Sequence, residues 1–505
     1  MAVKCKQIGA VNMELTVKQV AEACGGRLLC GDETRMVRHI SLNSNKMAGD
    51  DLFVPIIGER VDAHRFLSGA FSAGAVCALT SWKSPELLKD TALQAVLDRD
   101  PSAALIEVED TRAALQALGR WYREKRVRIP LIGVTGSVGK TTTREMIACA
   151  LSAGKRVYAT KGNSNSQVGV PITVTETDAD AEIGVIELGM SEFGEMSRIS
   201  EVARVDAAVM TNIGISHINQ LGTQENILIQ KLHILDGMPD GAPLFLNGDD
   251  KMLCELTEEK IHAYGIAEGR RIPIIFYGTG ENADWRAEKI TLSKGLPQFV
   301  IRRRHADGSV SEYNCSLSVP GMHIVLNALA SVAAAFYFGV DAEKASVALS
   351  EFHGVGGRGE IEEAGGIRII DDSYNAAPAS MKAGLTVLCD LPSAGRRVAV
   401  LADMLELGEK EAGYHREVGE FIRERKLPLD MLWLYGPLSV HIGEACRENK
   451  MEDVPQIRHF DSLEALSAAL TETLKPGDTV LFKGSNGMGL KTAVSALLSA
   501  KREQA

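Results

Sequence analysis

One stretch, residues 131–143, limits what this chain can fold into more than any other part of the sequence. An apolar run at 131–134 leads into a turn that contains Gly136 and Gly139, and Lys140 and three threonines then open a helical pattern. Backbone N–H groups can close on phosphate oxygens only where side chains are absent, and a helix N-terminus adds positive charge. The stretch therefore predicts a strand, a loop that binds the phosphates of ATP or GTP, and a helix.

Two residues of this stretch have the chemistry that a bound nucleotide needs. Lys140 supplies a point charge for the phosphates, and Thr141 supplies a hydroxyl ligand for Mg²⁺. Val134 stands where the usual phosphate loop has its first glycine, so the loop is a shortened variant. A glycine turn without a ligand is the alternative interpretation, and the flanking strand and helix patterns favour the nucleotide.

The pattern of apolar runs predicts the fold class. Runs at 131–134, 156–159, 183–188, 207–210 and 244–246 are separated by segments of helix length, which indicates a mainly parallel sheet with helices on both faces. Residues 281–319 break this alternation and predict a small antiparallel insertion. A second strand–helix series follows the glycine-rich segment 354–359, which we interpret as a hinge. The length of 505 residues suits about three domains.

Composition excludes several classes of partner. A net charge of −11 argues against a duplex nucleic-acid partner, whose affinity would come from phosphate neutralisation.

The nine cysteines are odd in number and scattered, which favours a reducing cytoplasm. The first fifteen residues lack an apolar leader segment, and the most apolar run, 325–340, is too short to span a bilayer. We expect a cytoplasmic protein without membrane insertion.

Polar residues after the predicted strands are candidates for the site, and each has a second interpretation. Glu187 could complete the shell of a Mg²⁺ bound by Thr141, or it could cap a helix. His217 could be a ligand or a solvent-exposed hydrogen bonder. Asn327 could contact a nucleotide or cap the long helix predicted at 324–339. The glycine turn 483–489 is either a ligand contact or a plain strand-to-helix turn.

A series of motifs in a fixed order resembles the Mur ligase family. The shortened ATP loop at 135–143 is followed by a substrate-loop motif at 162–171 and by motifs at 187–190, 212–217, 221–223, 371–378, 403–408 and 483–485. The resemblance spans nearly the whole chain. The tyrosine–asparagine motif at 374–375 and the ADMLELG stretch at 402–408 point to the member that uses D-alanyl-D-alanine, and the DNPR motif of the member that adds diaminopimelate or lysine is absent.

The resemblance implies an α/β protein of three domains. These are an N-terminal α/β domain that binds the UDP-sugar (1–112), a central P-loop ATP-binding parallel-sheet domain (113–353), and a C-terminal Rossmann-like domain that binds the dipeptide and part of ATP (354–505). It also implies an ATP-dependent amide ligase that joins D-alanyl-D-alanine to UDP-N-acetylmuramoyl-tripeptide through an acyl phosphate, in peptidoglycan precursor synthesis. The partners are then small-molecule substrates, and the protein is expected to be a monomer.

The resemblance further implies a set of site residues, ATP and two Mg²⁺ ions. The expected catalytic residues are Lys140, Lys231 and His217, and the expected metal ligands are Thr141, Glu187, His217 and Lys231. Lys231 lies where the family has a carbamylated lysine, and carbamylation would invert the charge of a group that otherwise repels a cation. The expected ATP-binding residues are Thr135, Gly136, Ser137, Gly139, Lys140, Thr141, Thr142, Asn327, Arg358 and Asp372, and the expected substrate-binding residues are Ser44, Asp62, His64, Asn163, Asn165, Tyr374 and Asn375.

Several residues depart from the family pattern, and they leave two alternative functions open. The departures lie at Asn43, Asn45, Ser166, Asn219, His233, Ala377 and Asn486. Several of them replace a charged group, and a lost guanidinium is a large change at a phosphate or carboxylate contact. The alternatives are a related ligase with a different amine or acceptor, and a non-catalytic regulator that binds nucleotides or muropeptides. A nucleotide-switch ATPase is disfavoured because no arginine-finger signature is visible.

Overall fold

The computed structural model describes residues 13–305, 307–448 and 455–503. The segment 1–12, on which most of the expectation of a missing leader segment depends, lies outside the described residues. So does position 306 in the turn between two of the predicted antiparallel strands.

A five-stranded sheet organises the first part of the described chain. The strands are β1 (Leu15–Thr16), β2 (Arg27–Cys30), β3 (Met36–Val37), β4 (His39–Ser41), β5 (Asp51–Phe53), β6 (Ala75–Thr80) and β7 (Ala104–Glu107). The sheet order is β2-β7-β6-β5-β4, and β1 pairs only with β3. The helices are α1 (Val17–Cys24), α2 (Leu67–Ser72), α3 (Ser84–Lys89), α4 (Thr91–Arg99) and α5 (Thr111–Lys125), with a 3₁₀ turn at Ala63–Phe66.

A nine-stranded sheet forms the middle of the chain. Its strands are β8 (Leu131–Thr135), β9 (Val157–Ala159), β10 (Ile183–Glu187), β11 (Ala207–Met210), β12 (Leu244–Asn247), β13 (Ile274–Gly278), β14 (Trp285–Ser293), β15 (Leu296–Arg304) and β16 (Val310–Ser316). Their order is β16-β15-β14-β13-β12-β11-β8-β10-β9. The helices are α6 (Lys140–Ser152), α7 (Gly169–Thr175), α8 (Glu195–Ala203), α9 (Ile218–Leu221), α10 (Gln224–Leu232), α11 (Glu258–Ala263), α12 (His323–Tyr337) and α13 (Ala342–Leu349), with a 3₁₀ turn at His233–Gly237.

The antiparallel strands β14 to β16 are not a separate insertion, which corrects the sequence expectation. They continue the edge of the central sheet, because β14 begins in parallel register with β13 at Tyr277↔Trp285. Trp285, Ile301 and Cys315 are buried in the same core as α12. The sequence pattern indicated the pairing of these strands but not the sheet that they join.

A six-stranded sheet organises the C-terminal part. Its strands are β17 (Glu360–Ala364), β18 (Ile367–Asp372), β19 (Arg397–Ala402), β20 (Met431–Tyr435), β21 (Gln456–Phe460) and β22 (Thr479–Lys483), in the order β17-β18-β22-β19-β20-β21. The helices are α14 (Pro378–Asp390), α15 (Glu411–Glu424), α16 (Val440–Arg447), α17 (Leu463–Thr473) and α18 (Leu490–Glu503), and 3₁₀ turns lie at Gly408–Lys410 and Asn486–Met488. Both edge strands, β17 and β21, escaped the sequence analysis because their side chains are largely polar and exposed.

The burial pattern explains why the two larger sheets are mainly parallel. Every residue of β8, β10 and β11 is buried, and successive residues of β8 pack on opposite faces: Leu131 joins one core, and Ile132 and Val134 join the other. A sheet that is covered by helices on both faces needs such continuous apolar strands. The expected α/β fold class is therefore confirmed.

No helix within residues 13–305, 307–448 and 455–503 is long and apolar enough to cross a membrane.

Two glycines of α15 provide a test of the packing in the C-terminal part. A methyl group at Gly419 would lie 2.2 Å from the carbonyl oxygen of Ile442 in α16, whereas one at Gly413 would meet nothing within 4 Å. We expect Gly419→Ala to destabilise the protein by about 1–3 kcal/mol through overpacking. The matched variant Gly413→Ala should be neutral or stabilising by up to about 1 kcal/mol, because alanine favours helix. Thermal unfolding followed by circular dichroism measures both, and equal melting temperatures would contradict the described α15–α16 contact.

Candidate nucleotide and metal site

The loop between β8 and α6 is bound to the end of β11. The amide of Ser137 donates to the Asn212 carbonyl (3.0 Å), and the amide of Val138 donates to Asn212 Oδ1 (3.0 Å). Thr211 Oγ1 donates to the Val138 carbonyl (2.6 Å). Gly136 has a φ of +146°, and a Cβ there would lie 2.0 Å from Thr211 Oγ1. The residues after β11 therefore fix the loop, and only glycine fits at position 136.

Two lysines from different helices converge on the carbonyl oxygen of Gly136. Lys140 Nζ, at the start of α6, donates to it at 2.8 Å and to the Ser137 carbonyl at 3.2 Å. Lys231 Nζ, on α10, donates to the same Gly136 oxygen at 3.0 Å, and its side chain is only 1% exposed. Burial lowers the pKa of Lys231 well below its usual value, and the charge of Lys140 lowers it further. The structure thus places Lys231 beside the loop, although it follows Gly136 by 95 residues.

The carboxylate of Glu187 lies next to this loop because of strand register. Glu187 ends β10 and pairs with Val134 of β8. Its Oε2 accepts hydrogen bonds from Thr141 Oγ1 (2.8 Å) and Arg144 Nη1 (3.0 Å), and its Oε1 accepts one from Asn165 Nδ2 (2.7 Å). The helix-cap interpretation of Glu187 is wrong, because α8 begins only after Gly194.

The oxygens of Thr141 and Glu187 fit a magnesium ion. Both side chains are buried, and the two oxygens lie 2.8 Å apart. Adjacent ligands of an octahedral Mg²⁺ with metal–oxygen distances of about 2.0–2.1 Å lie about 2.8–3.0 Å apart. No cluster of three or more His, Cys, Asp or Glu side chains that could hold a metal occurs in the described part of the chain. With only the Thr141 and Glu187 oxygens as protein ligands, the site suits an ion that takes its remaining ligands from phosphates and water.

His217 lies where the central and C-terminal parts of the chain meet. It has a left-handed backbone (φ 61°) just before α9, and its Nδ1 lies 2.9 Å from Oε2 of Glu406, which also has a positive φ. Burial lowers the pKa of His217, while Glu406 opposes this shift, and the charges of Lys140 and Lys231 add to the lowering. His217 therefore faces both the lysine pair and a carboxylate that the sequence analysis did not single out.

Asn327 and Arg358 also lie near the loop. Asn327 Oδ1 is 3.7 Å from the position that a Cβ of Gly139 would take. α12 begins at His323 without a side-chain cap, so Asn327 is not a helix cap. The Arg358 guanidinium stacks on the ring of Tyr374 at 4.0 Å. Burial lowers the pKa of Arg358, and the negative charge of Glu187 opposes this shift.

Asp372 and Asn375 are held by a buried lysine from β22. Lys483 Nζ donates to Asp372 Oδ2 at 2.5 Å and to the Asn375 carbonyl at 3.2 Å. Burial raises the pKa of Asp372, and the charge of Lys483 opposes that rise. The last residue of β22 therefore ties this strand to the 371–375 motif.

The residues expected to bind the UDP-sugar lie apart from this cluster. Asp62 caps the Ala63–Phe66 turn and accepts from His64 N (2.9 Å) and Trp82 Nε1 (3.3 Å). His64 is fully buried, with Nδ1 on Asp62 and Nε2 accepting from the amide of Ser81 (3.0 Å). The buried ring of His64 supports the Asp62 loop, and its expected contact with the substrate stays a prediction.

Ser44 and Asn163 lie on loops. Ser44 is half-buried after β4, and Asn163 is exposed in the loop that precedes α7. Within the described residues, neither side chain hydrogen-bonds to Glu187 or to the loop at 136–139. Asn165 alone of the expected substrate residues reaches Glu187.

Comparisons with known proteins identify the family. The sequence model of the Mur ligase middle domain matches residues 134–335, and that of the "Mur ligase, glutamate ligase domain" matches residues 357–486. The UDP-N-acetylmuramoyl-tripeptide–D-alanyl-D-alanine ligase of Bacillus subtilis is 36% identical over 96% of this chain and 98% of its own. This chain belongs to the Mur ligase family. The resemblance noted from the sequence motifs is thereby confirmed.

Solved structures of Mur ligases share the fold. A MurF from Acinetobacter baumannii superposes with a TM-score of 0.81 at 27% identity, covering 96% of this chain and 99% of its own. The MurF ligase of Thermotoga maritima, solved in complex with ADP, has a TM-score of 0.73 at 26% identity, covering 93% and 99%. These neighbours support ATP use by this Mur ligase.

Two residues of the site were missed in the sequence analysis. Arg144 had a usable signal: it follows Lys140 by four positions and Thr141 by three, so it shares their face of α6. It is also a charged residue in a helix that is otherwise largely buried. Glu406 lies in the 403–408 motif, but nothing in the sequence indicated its pairing with His217, because only the tertiary structure brings the two loops together.

Nucleotide affinity should depend on Gly136 far more than on another glycine of positive φ. We expect Gly136→Ala to weaken ADP binding by at least about ten-fold, because the methyl group collides with Thr211 and deforms the loop. Gly162→Ala is the matched control, since Gly162 also has a positive φ but open space around it. Titration with a fluorescent ADP analogue measures both affinities. Equal affinities for the two variants would show that the loop conformation does not limit binding.

Proposed function

We propose that this Mur ligase joins D-alanyl-D-alanine to UDP-N-acetylmuramoyl-tripeptide at the expense of ATP. The observation that supports this most is the site itself: adjacent Thr141 and Glu187 oxygens beside Lys140 and buried Lys231, all at one phosphate-type loop. Relatives with this activity in their name align with 96% of the chain, including those from Bacillus subtilis and Escherichia coli.

The reaction requires two anions to meet. The terminal phosphoryl group of ATP passes to the acceptor carboxylate, which gives an acyl phosphate and ADP. The amine of the dipeptide then attacks the acyl carbon, an amide bond forms, and phosphate leaves. Lys140 neutralises charge on the transferred group, and Arg358, which interacts electrostatically with both Glu187 and Lys140, assists. A Mg²⁺ held by Thr141 and Glu187 would supply further charge neutralisation when bound.

Lys231 has the environment of a lysine that becomes carbamylated. Its side chain is buried, and among the residues that the structure describes it has no ion-pair partner, so its amine is readily deprotonated. A neutral amine adds to CO₂ and loses a proton, which leaves a carbamate with one negative charge and two oxygens. We propose that the Lys231 carbamate and His217 are ligands of a second Mg²⁺. The unmodified amine, which points to the Gly136 carbonyl, is not itself a metal ligand.

The remaining expected residues are assigned by position. Residues 1–112 would hold the UDP end around Ser44 and the Asp62 loop, residues 113–353 would bind ATP, and residues 354–505 would bind the dipeptide near Tyr374 and Asn375. Asn327, Arg358 and Asp372 would contact the adenine, the phosphates or the ribose of ATP. Closure about the glycines at 354–359, three of which have positive φ, would exclude water from the acyl phosphate. We further propose a cytoplasmic monomer that acts on small molecules.

A related ligase with a different amine is the second candidate, and the C-terminal part favours it. Asn486 replaces a family arginine at the start of the Asn486–Met488 turn, and Ala377 replaces an asparagine before α14. In the central part, His233 stands where the family has a glutamate, so this position supplies an imidazole, paired with Asp236 at 2.9 Å, and no carboxylate. These changes affect recognition more than phosphoryl transfer.

Phosphate release from ATP distinguishes these functions. We expect release only when UDP-N-acetylmuramoyl-tripeptide and D-alanyl-D-alanine are both present, because each is needed to form and consume the acyl phosphate. Release that requires the tripeptide with another amine would instead establish the related ligase. No release with any pairing, despite nucleotide binding, would indicate the non-catalytic regulator.

The carbamate at Lys231 makes a separate prediction. Lys231→Ala should abolish ligation, with partial rescue by short carboxylates such as formate, since they restore an anion in the vacated space. The wild-type protein in ¹³C-bicarbonate should show a carbamate resonance that this variant lacks. Lys483→Ala is the control: Lys483 is equally buried but paired with Asp372, so the resonance should persist. Wild-type rates for Lys231→Ala without additives would remove the carbamate from the mechanism.

A further inference from the structure

A buried arginine is paired with the carboxylate proposed to bind the metal ion. Arg144 is 2% exposed and Glu187 is 1% exposed, and Arg144 Nη1 lies 3.0 Å from Glu187 Oε2. The same Nη1 donates to the Gly162 carbonyl at 2.9 Å, and Nη2 is paired with Glu145. The guanidinium therefore has two other partners besides Glu187.

Arg144 donates a hydrogen bond to the carboxylate oxygen of Glu187 that a metal ion would need as a ligand. Glu187 Oε2 accepts from both Thr141 and Arg144, and Oε1 accepts from Asn165. A cation held between Thr141 and Glu187 would therefore bind to Glu187 Oε2, which is already paired with the Arg144 guanidinium. Loss of this one contact leaves Arg144 bonded to Gly162 and Glu145.

Other positive groups surround the same carboxylate. Lys140 and Arg358 both interact electrostatically with Glu187, and Arg358 and Arg144 repel each other. Three cations therefore face one buried anion when no phosphates are present. Positive charges in a buried site oppose the entry of a further cation, although Glu145 offsets part of the charge of Arg144.

We propose that Arg144 makes divalent-cation binding at Thr141 and Glu187 conditional on nucleotide. In the nucleotide-free protein the guanidinium competes for Glu187 Oε2. The phosphates of a bound nucleotide add the missing negative charge, and the cation then takes that oxygen while Arg144 keeps Gly162 and Glu145. Arg144 therefore acts on the cation through Glu187, as a positioning residue. The inference rests on the metal site proposed above and not on the identity of the ligase substrates.

Binding of Mn²⁺ to the full-length protein tests this directly. The loss of the free Mn²⁺ signal in electron paramagnetic resonance gives the affinity without nucleotide and, after correction for the Mn²⁺–ADP complex measured in the absence of protein, with ADP. For the wild type we expect ADP to strengthen Mn²⁺ binding by more than about ten-fold, a coupling that must be reciprocal. Arg144→Gln keeps a donor for Gly162 but removes the charge, so its nucleotide-free Mn²⁺ affinity should rise about ten-fold or more.

Three further variants make the result specific. Arg144→Lys retains the charge and should stay within about three-fold of the wild type. Arg123→Met removes another largely buried arginine, paired with Asp206 (2.8 Å) at the opposite end of β8, and should not change Mn²⁺ binding. Glu187→Gln should abolish the tight site in the Arg144→Gln background, which assigns it to this carboxylate.

Two outcomes would overturn the proposal. One is a wild-type protein that binds Mn²⁺ as tightly without ADP as with it, which needs no variant and so is unaffected by misfolding. The other is an Arg144→Gln protein, folded by circular dichroism, whose nucleotide-free Mn²⁺ affinity equals that of the wild type. Neither measurement involves ligation, so failure of the proposed ligase activity would appear separately, in phosphate release.

Discussion

The site depends on one constraint: a carboxylate with almost no exposed surface lies at the carboxyl edge of a parallel sheet. A buried charge is tolerated only when it is paired and hydrogen-bonded. Glu187 meets this requirement with Thr141, Arg144 and Asn165, which come from α6 and from the substrate loop. The hydrogen bonds to the Glu187 carboxylate therefore hold the nucleotide loop, α6 and the loop at 162–169 together as one unit.

The same principle explains how the C-terminal part approaches the nucleotide loop. Arg358 and Lys483 are cations with little solvent around them, and they are stabilised by Tyr374 and Asp372. Glu406 reaches across to His217. Contacts between charged groups of different sheets are sensitive to small displacements, because Coulomb energies in poorly solvated sites change steeply with distance. The hinge proposed at 354–359 lies beside Arg358, so closure there would make or break the complete set of cations.

Apart from Ser166, which lies in the loop at 162–169 and accepts from the amide of Gly169 (3.4 Å), the departures from the family pattern lie around this unit. Asn219 packs against Gly408, at the contact between the central and C-terminal parts, and Asn486 lies in the turn after β22. Asn43 caps its own loop by accepting from the amide of Asn45 (3.0 Å). None of these residues touches Glu187, Thr141 or Lys231. The contacts around Glu187 therefore do not depend on the side chains at 43, 219 and 486.

The sequence alone determined the parallel strands, because continuous apolar runs such as those of β8 and β10 are needed wherever both faces of a sheet are covered. It also determined the nucleotide loop, since the glycines, Lys140 and Thr141 act through local geometry. Glu187 was found because it ends a strand next to that loop. Only the tertiary structure decided that β14 to β16 extend the central sheet, that Arg144 neutralises Glu187, and that Glu406 meets His217. These outcomes depend on register and on contacts between segments distant in the chain, which no local pattern of residues encodes.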